Sequence, residues 1–155
     1  MKIVTTKALS DDQKQRVFEI WNAEYPVKLQ MPAMADFDEF INTLADTKHY
    51  LLSDNYCIAG WAAVFSIERV RCFFIMLASI VHGKGYGTLL LNQLKNDEKQ
   101  LFAWAIDHDN DLKLNGEPYR SPIGFYQKNG FKINKELRLE TVQLSAVNIL
   151  WNREE

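Results

Sequence analysis

The sequence predicts an α/β or α+β fold in which helices flank a mixed, mostly antiparallel sheet of about seven strands. Seven short stretches rich in β-branched and aromatic residues predict the strands, and stretches with apolar residues at helical spacing predict the helices. One helix separates the predicted strands 71–79 and 101–106, and such a βαβ unit places its two strands parallel. The chain has 155 residues, the size of one domain, so we expect 1–155 to form a single domain.

The first half of the chain predicts a strand, two helices and a three-stranded meander. A strand over 3–7 is followed by Ser10 and Gln13, which together form a capping box, and Pro26 ends that helix. A second helix starts near Asp36. The meander strands are predicted at 49–53, 58–67 and 71–79, with a turn at 68–69 between the last two.

The second half of the chain begins with a glycine-rich turn after residue 79. A helix follows over 85–97, and then the strand 101–106. Ser121 and Pro122 predict the start of a short helix, as N-cap and first helical residue, and Gly130 predicts its left-handed end. The last two strands are predicted at 137–142 and 147–151.

Composition narrows the class of protein. Hydrophobic residues make up 47% of the chain and charged residues 25%, which is typical of a soluble globular domain. The 18 basic and 20 acidic residues disfavour a general nucleic-acid binder. The sequence shows no signal-peptide stretch and no apolar run long enough to span a bilayer. Cys57 and Cys72 lie in apolar stretches, so we expect two buried reduced thiols and a cytoplasmic protein.

The most informative stretch is the turn that carries Gly83, Gly85 and Gly87. It lies where a strand leads into a helix, so its backbone N–H groups and the helix dipole favour a phosphate or pyrophosphate. A tight turn without a ligand is the alternative. The stretch does not fit a Walker A loop, because Lys84 stands between glycines, nor the dinucleotide pattern G-x-G-x-x-G.

Two motifs in the right order resemble those of the GNAT superfamily of N-acetyltransferases. The residues H-G-K-G-Y-G at 82–87 match the pattern [QR]-x-x-G-x-[GA], except that His82 replaces Arg or Gln. The residues F-Y-Q-K-N-G-F at 125–131 look like the F-Y-x-x-x-G-F element of the same family. The order of predicted elements is similar to the family's over the whole chain. A cofactor-binding Asn that many members carry is Tyr119 here.

This resemblance implies a cleft for acetyl-CoA where the fourth and fifth strands splay apart, with no metal. By that likeness the backbone of the strand end binds the pantetheine arm, through Leu77, Ala78 and Ser79. The turn and the helix start hold the pyrophosphate, through His82, Gly83, Lys84, Gly85, Tyr86, Gly87 and Thr88. An amine of a small molecule or a peptide then attacks the thioester directly. A homodimer is allowed by the resemblance, and neither nucleic acid nor membrane is expected as a partner.

The resemblance also implies catalytic residues. Tyr126 stands at the family's general-acid position, and a phenol stays protonated at neutral pH. The fourth predicted strand contains no acid to act as a base, so Asp107 and His108, at the end of the fifth strand, are the candidates. A solvated turn is the alternative for 107–111, and the spacing there excludes an EF-hand.

The first two helices are expected to contribute the acceptor pocket. Trp21, Tyr25 and Phe37 are the candidates, although their helical spacing also fits a core position, and Glu24 and Asp36 are placed to attract a cationic amine. Two other functions stay open. One is a non-catalytic acyl-CoA-binding or regulatory module on the same fold, and the other is an unrelated phosphate-binding protein.

Overall fold

A computed structural model describes residues 1–55 and 57–154 of the chain. Within these residues, seven strands and four α-helices follow one another along the sequence, with two short 3₁₀ turns at Val27–Leu29 and Ser79–Val81. The strands are β1 (Lys2–Thr6), β2 (Ala45–Ser53), β3 (Ile58–Ile67), β4 (Val70–Leu77), β5 (Gln100–Ile106), β6 (Lys132–Glu140) and β7 (Ser145–Asn152). The helices are α1 (Asp11–Glu24), α2 (Met34–Asn42), α3 (Tyr86–Asp97) and α4 (Ile123–Lys128).

These strands form one sheet with the order β1-β2-β3-β4-β5-β7-β6. Every neighbouring pair is antiparallel except β4 and β5, which are parallel as the βαβ unit predicts. In the described residues this parallel pair is in register at Cys72 and Phe102 alone, near the start of each strand. The two strands therefore separate toward their carboxyl ends, which opens a gap in the sheet beside Leu77.

The hydrophobic core has one part on each face of the sheet. Leu90, Leu91 and Leu94 of α3 are fully buried on one face, where Tyr126 and Phe131 also pack. The other face buries a second cluster under α1 and α2, built from Val17, Ile20, Trp21, Phe37, Leu51, Trp61, Ala63 and Met76. Each buried Leu or Phe stabilises the fold by about 1.5–3 kcal/mol, so the helices are held to the sheet mainly by these stripes.

The helix starts follow local hydrogen bonds. At α1 the Gln13 N–H donates to Ser10 Oγ at 3.2 Å and the Ser10 N–H donates to Gln13 Oε1 at 2.9 Å, so the predicted capping box is present. Helix α2 begins at Met34, earlier than predicted from Asp36. The Asp36 carboxylate instead accepts from the Ala33 N–H at 3.1 Å, so it satisfies the helix start from inside the first turn.

Two strands begin well before their predicted starts. Strand β2 begins at Ala45 rather than 49, and β6 begins at Lys132 rather than 137. Both added segments are polar and largely exposed, so they lack the apolar alternation that predicts a strand. Backbone pairing with β3 and β7 holds them in the sheet instead, with register irregularities in both pairs.

The short helix α4 also differs slightly from its prediction. It begins at Ile123, with Pro122 as the flanking residue, although the Ser121 hydroxyl still accepts from the Ile123 N–H at 3.3 Å. Gly130 has the predicted left-handed conformation, with φ of 84°.

The two cysteines have different surroundings. Cys72 is buried in β4, but Cys57 is exposed, so the prediction of two buried thiols is wrong for Cys57. Cys57 lies in the turn between β2 and β3, where its N–H donates to the Asp54 carboxylate at 2.9 Å. None of the described helices is long and apolar enough to cross a membrane.

Candidate active site

A cleft of about 930 Å³ opens at the carboxyl end of β4, where β4 and β5 separate. The end of α1, the glycine-rich turn, the start of α3, the segment 113–122 and helix α4 line it. This volume is within the range of small-molecule and cofactor sites, so it accommodates a large ligand. We call it the active-site cleft.

The glycine-rich turn presents free backbone donors to this cleft. Gly83 and Gly85 have φ of 73° and 83°, a left-handed conformation that side chains rarely adopt. The first hydrogen bond of α3 runs from the Leu89 N–H to the Gly85 carbonyl at 3.1 Å. The N–H groups of residues 86–88 come before that bond, so they have no acceptor within the helix. Together with the helix dipole they form a site suited to a phosphate group.

The two sequence motifs are in direct contact. A Cβ at Gly87, in the first turn of α3, would lie 3.1 Å from the ring of Phe125 in α4 and 3.4 Å from Leu77 Cδ1 in β4. A side chain here would require Phe125 to move by a few tenths of an ångström, so glycine favours this close approach of the three elements. The start of α3 is therefore packed against the helix that carries Tyr126.

Most of the residues predicted to bind the cofactor line the active-site cleft. They are Leu77, Ser79, His82, Gly83, Gly85, Tyr86, Gly87 and Thr88. Ala78 and Lys84 do not line it. Ala78 is buried, and its N–H donates to the Ala59 carbonyl at 2.8 Å in the neighbouring strand β3, whereas the Lys84 side chain is exposed.

His82 points back toward the strand instead of over the turn. Its Nε2 lies 2.7 Å from the Leu77 carbonyl oxygen, and because a carbonyl only accepts, this nitrogen carries the hydrogen. The Ser79 N–H donates to Glu24 Oε2 at 3.0 Å. Two backbone groups of the segment expected to bind pantetheine are thus paired with side chains of the protein itself.

Glu24, the last residue of α1, links three parts of the cleft. Its Oε1 accepts from the Ser79 hydroxyl at 2.7 Å and lies 3.0 Å from the Lys113 ammonium, and both charged side chains are only 12% exposed. Burial raises the pKa of this carboxyl, but the hydrogen bonds from Ser79 and Lys113 outweigh it and lower the pKa below its usual value. Glu24 is therefore ionised at neutral pH. Its place on α1 already suggested a contact with a cationic amine, but no local pattern in the sequence pointed to Lys113.

Three tyrosines meet in the cleft. Tyr126, on α4, is 7% exposed, and burial together with the nearby Tyr25 and Tyr119 raises its pKa well above the usual value. Burial likewise raises the pKa of Tyr119 to about 12. The rings of Tyr25 and Tyr119 have centroids 6.3 Å apart. All three hydroxyls are therefore protonated at neutral pH and can donate hydrogen bonds. Tyr119 was not a predicted site residue; the only signal was its place in the family pattern.

Asp107 and His108, the predicted candidates for the catalytic base, do not line the cleft, so the structure does not bring them together with Tyr126. Asp107 forms a two-pronged ion pair with Arg138 on β6, at 2.8 and 3.0 Å, and these hydrogen bonds lower the pKa of Asp107. The His108 Nδ1 accepts from the Asn110 N–H at 3.1 Å within the same turn. The solvated-turn alternative describes this segment better than a catalytic role, because both side chains serve the local structure.

Of the three predicted acceptor residues, only Tyr25 lines the cleft. Trp21 and Phe37 are buried in the core under α1 and α2, and the Trp21 indole donates to the Leu29 carbonyl at 2.8 Å. The structure therefore places both side chains in the core and not in the cleft lining. Helical spacing marks both core and pocket residues, so it could not separate them from Tyr25.

Comparison with known proteins agrees with this geometry. The model of the acetyltransferase (GNAT) family matches residues 14–131. An aminoglycoside 6′-N-acetyltransferase solved with coenzyme A has a TM-score of 0.74 at 14% identity, over 100% of both chains. A phosphinothricin acetyltransferase from Sinorhizobium meliloti, solved with AcCoA, has a TM-score of 0.68 at 16% identity, covering 98% of this chain and 89% of the other.

The aminoglycoside 6′-N-acetyltransferase from Enterococcus faecium is also similar, with a TM-score of 0.72 at 14% identity over 100% of both chains. A search of curated proteins returned no match. At these identities the solved structures establish the fold, whereas the family model covers most of the chain and includes both motifs. The protein therefore belongs to the GNAT family of acetyltransferases.

Proposed function

We propose that the protein acetylates the amine of a small cationic molecule in the active-site cleft, with acetyl-CoA as the donor. Acetyl transfer and the use of acetyl-CoA follow from membership of the GNAT family. The small cationic acceptor and the place of the reaction are supported by one observation, the set of residues that line the active-site cleft. The free N–H groups at the start of α3, the protonated Tyr126 and the ionised Glu24 all line it.

The donor half of the cleft has the charges that a CoA molecule requires. The amides of residues 86–88 face the position proposed for the pyrophosphate. Arg120 and Lys128 also line the cleft and add positive charge on the side of α4 and the segment before it, whereas Lys113 is neutralised by Glu24. The left-handed glycines leave open space beside the turn, since a Cβ at Gly83 or Gly85 would meet no atom within 4 Å.

The acceptor half combines negative charge with aromatic rings. Glu24 and Glu117 line the cleft together with Tyr25 and Tyr119. The Lys113 ammonium lies 3.0 Å from Glu24, so an acceptor amine competes with Lys113 for this carboxylate. Rings and carboxylates together favour an acceptor that carries a positive charge on a ring or short chain. Two similar structures are aminoglycoside acetyltransferases, so aminoglycosides are the first acceptors to test.

The reaction needs a neutral amine and a proton for the leaving group. The acceptor nitrogen attacks the thioester carbon, the new C–N bond forms and the C–S bond breaks. Tyr126 protonates the departing thiolate, and the proton that the nitrogen releases on acylation restores the phenol through water. Glu24 is a weak base because its pKa is lowered. We therefore assign Glu24 to binding of the ammonium form, and the proton that the amine loses passes to water.

The test is a thiol-release assay with a panel of aminoglycosides, polyamines and peptides with a free N-terminal amine. Glu24→Gln should raise the KM of a cationic acceptor about tenfold, which corresponds to one charge-assisted contact. The Kd of acetyl-CoA is measured in parallel, because Glu24 also bonds Ser79 in the segment proposed to bind pantetheine. Asp36→Asn is the matched control, because Asp36 lies at the start of α2 and outside the cleft lining. Thiol release with peptides alone would redirect the acceptor class. Acetyl-CoA binding with no release for any amine would instead favour a non-catalytic module.

The compartment, the oligomeric state and the domain count stay predictions. The free Cys57 and Cys72 are consistent with a reducing compartment such as the cytoplasm, which cell fractionation would test. A homodimer and a single domain over 1–155 are testable by light scattering and by the cooperativity of unfolding.

A further inference from the structure

A second cavity, of about 270 Å³, lies at the opposite end of the sheet from the active-site cleft. Its lining residue Thr47 lies on β2 between Ala45 and Lys48, which pair with Ser66 and Val64 in the second half of β3. The active-site cleft instead begins at Leu77, which pairs with Gly60 near the start of β3. We call it the His49 cavity. Its wall comes from the segment after β1, the first half of α1, the end of α2 and the first half of β2.

His49 supplies a fixed hydrogen-bond donor to this cavity. The ring is 2% exposed, and its Nδ1 accepts from the Trp61 indole N–H at 3.1 Å. An indole nitrogen can only donate, so Nδ1 carries no hydrogen and Nε2 must carry one. Burial lowers the pKa of His49 to about 4, which keeps the ring neutral and this tautomer in place at neutral pH. In the described part of the chain no acceptor is bonded to Nε2.

Thr47 adds a second unsatisfied group two residues earlier on β2. Its hydroxyl oxygen is buried and has no hydrogen-bond partner among residues 1–55 and 57–154. Buried hydroxyls are almost always paired in folded proteins, so an unpaired one beside a cavity is a candidate ligand contact.

The remaining lining residues indicate the charge and shape of a ligand. Lys7 and Lys14 are both cationic, and none of the described lining residues is acidic. The Lys14 ammonium is paired with the Asp38 carboxylate, which leaves Lys7 as the unneutralised charge among these described wall residues. Leu9, Ile41 and Leu44 provide apolar surface next to these donors.

We propose that the His49 cavity binds a small monocarboxylate with a short, branched apolar chain. The carboxylate accepts from His49 Nε2 and the Thr47 hydroxyl and faces Lys7, while the chain packs on Leu9 and Ile41. A cation is disfavoured because the described wall carries no acid, and the volume is too small for a CoA molecule or a nucleotide.

The experiment is an NMR titration of the intact protein with 3-methylbutanoate at constant ionic strength. The reporter is the Trp61 indole N–H, because this group donates to the ring that the ligand contacts. A saturable shift is expected at millimolar ligand, the affinity of a fragment of this size, and excess CoA should not compete. Chloride and phosphate serve as parallel arms, and we expect neither to reproduce the shift.

Two variants test the assignment of the contacts. Thr47→Val keeps the shape of the side chain without its hydroxyl and should weaken binding about fivefold to tenfold. Lys7→Gln should weaken binding about threefold, whereas Lys2→Gln, an exposed lysine at the far end of β1, should not change it. The proposal is overturned if 3-methylbutanoate gives no saturable shift, if phosphate or chloride binds as well, or if Lys7→Gln and Lys2→Gln behave alike.

Discussion

Replacing Gly85 by valine tests whether the glycine-rich turn holds the pyrophosphate. Gly85 has φ of 83° immediately before α3, and a side chain there would point into open space. The change costs stability through backbone strain alone, about 2 kcal/mol for a branched residue in the left-handed region. In a chain of 155 residues this lowers Tm by about 4–8 °C.

The effect on CoA binding should be larger than the loss of stability alone would suggest. Valine either moves the turn out of the left-handed region and redirects the N–H groups of 86–88, or it fills the space beside them. Losing two hydrogen bonds to a charged phosphate costs about 3–6 kcal/mol, so CoA affinity should fall at least about 10²-fold. Isothermal titration calorimetry with CoA measures this directly.

Gly116 provides a matched control for backbone strain. It has φ of 85°, a Cβ there would also meet no atom within 4 Å, and it does not line the active-site cleft. Gly116→Val should therefore lower Tm by a similar amount and change CoA affinity less than about threefold. Equal losses of CoA affinity in the two variants, or unchanged affinity in Gly85→Val, would refute the assignment of the turn.

The remaining predictions concern three titratable side chains. Tyr126→Phe should lower kcat by about 10²–10⁴-fold, because the phenol is needed as an acid. The Kd of acetyl-CoA should change less than about twofold, because the ring still packs. Wild-type turnover in this variant would show that Tyr126 has only a packing role. His82→Gln should change the Kd of CoA less than about threefold, because the imidazole is bonded to the Leu77 carbonyl and not directed over the turn; a larger loss of affinity would place the imidazole on the phosphates. His49 has a folded pKa of about 4 against 6.5 in the unfolded chain, so the unfolded state binds the extra proton first. The stability that the neutral His49 ring contributes is fully present above about pH 6.5. As the pH falls from there toward 4, the free energy of unfolding should decrease by about 3 kcal/mol. Urea titrations at several pH values measure the free energy of unfolding, with His49→Gln as the reference. The same dependence of that free energy on pH in both proteins would contradict the buried neutral ring.

Local features of the fold were predictable because they depend on neighbouring residues. The capping box of Ser10 and Gln13, the left-handed Gly130 and the βαβ unit around α3 each follow from short-range rules, and each is present. The early starts of β2 and β6 were not predictable. Their polar residues join the sheet through long-range backbone pairing, which leaves no periodic signal in the sequence.

The candidate site also has one part that depends on neighbouring residues and one part that depends on long-range packing. The half that is proposed to bind phosphate is continuous in sequence, so the glycines and the start of α3 are enough to predict it. Its acceptor half is assembled from separate elements. Helical spacing favoured Trp21 and Phe37 as much as Tyr25, and only the packing of α1 on the sheet shows that the first two are core and the third lines the cleft.

The sequence by itself determined the family, the order of the elements and the backbone geometry of the anion site, because these depend on glycines, caps and apolar periodicity within short windows. The tertiary structure alone decided which charged groups meet. Asp107 was a reasonable base from its position in the chain, yet it pairs with Arg138 across the sheet. Glu24 pairs with Lys113, far along the chain, and with the backbone of Ser79. Electrostatic pairing acts over a few ångströms in space and is independent of distance along the chain, so only the folded arrangement assigns the roles of these carboxylates.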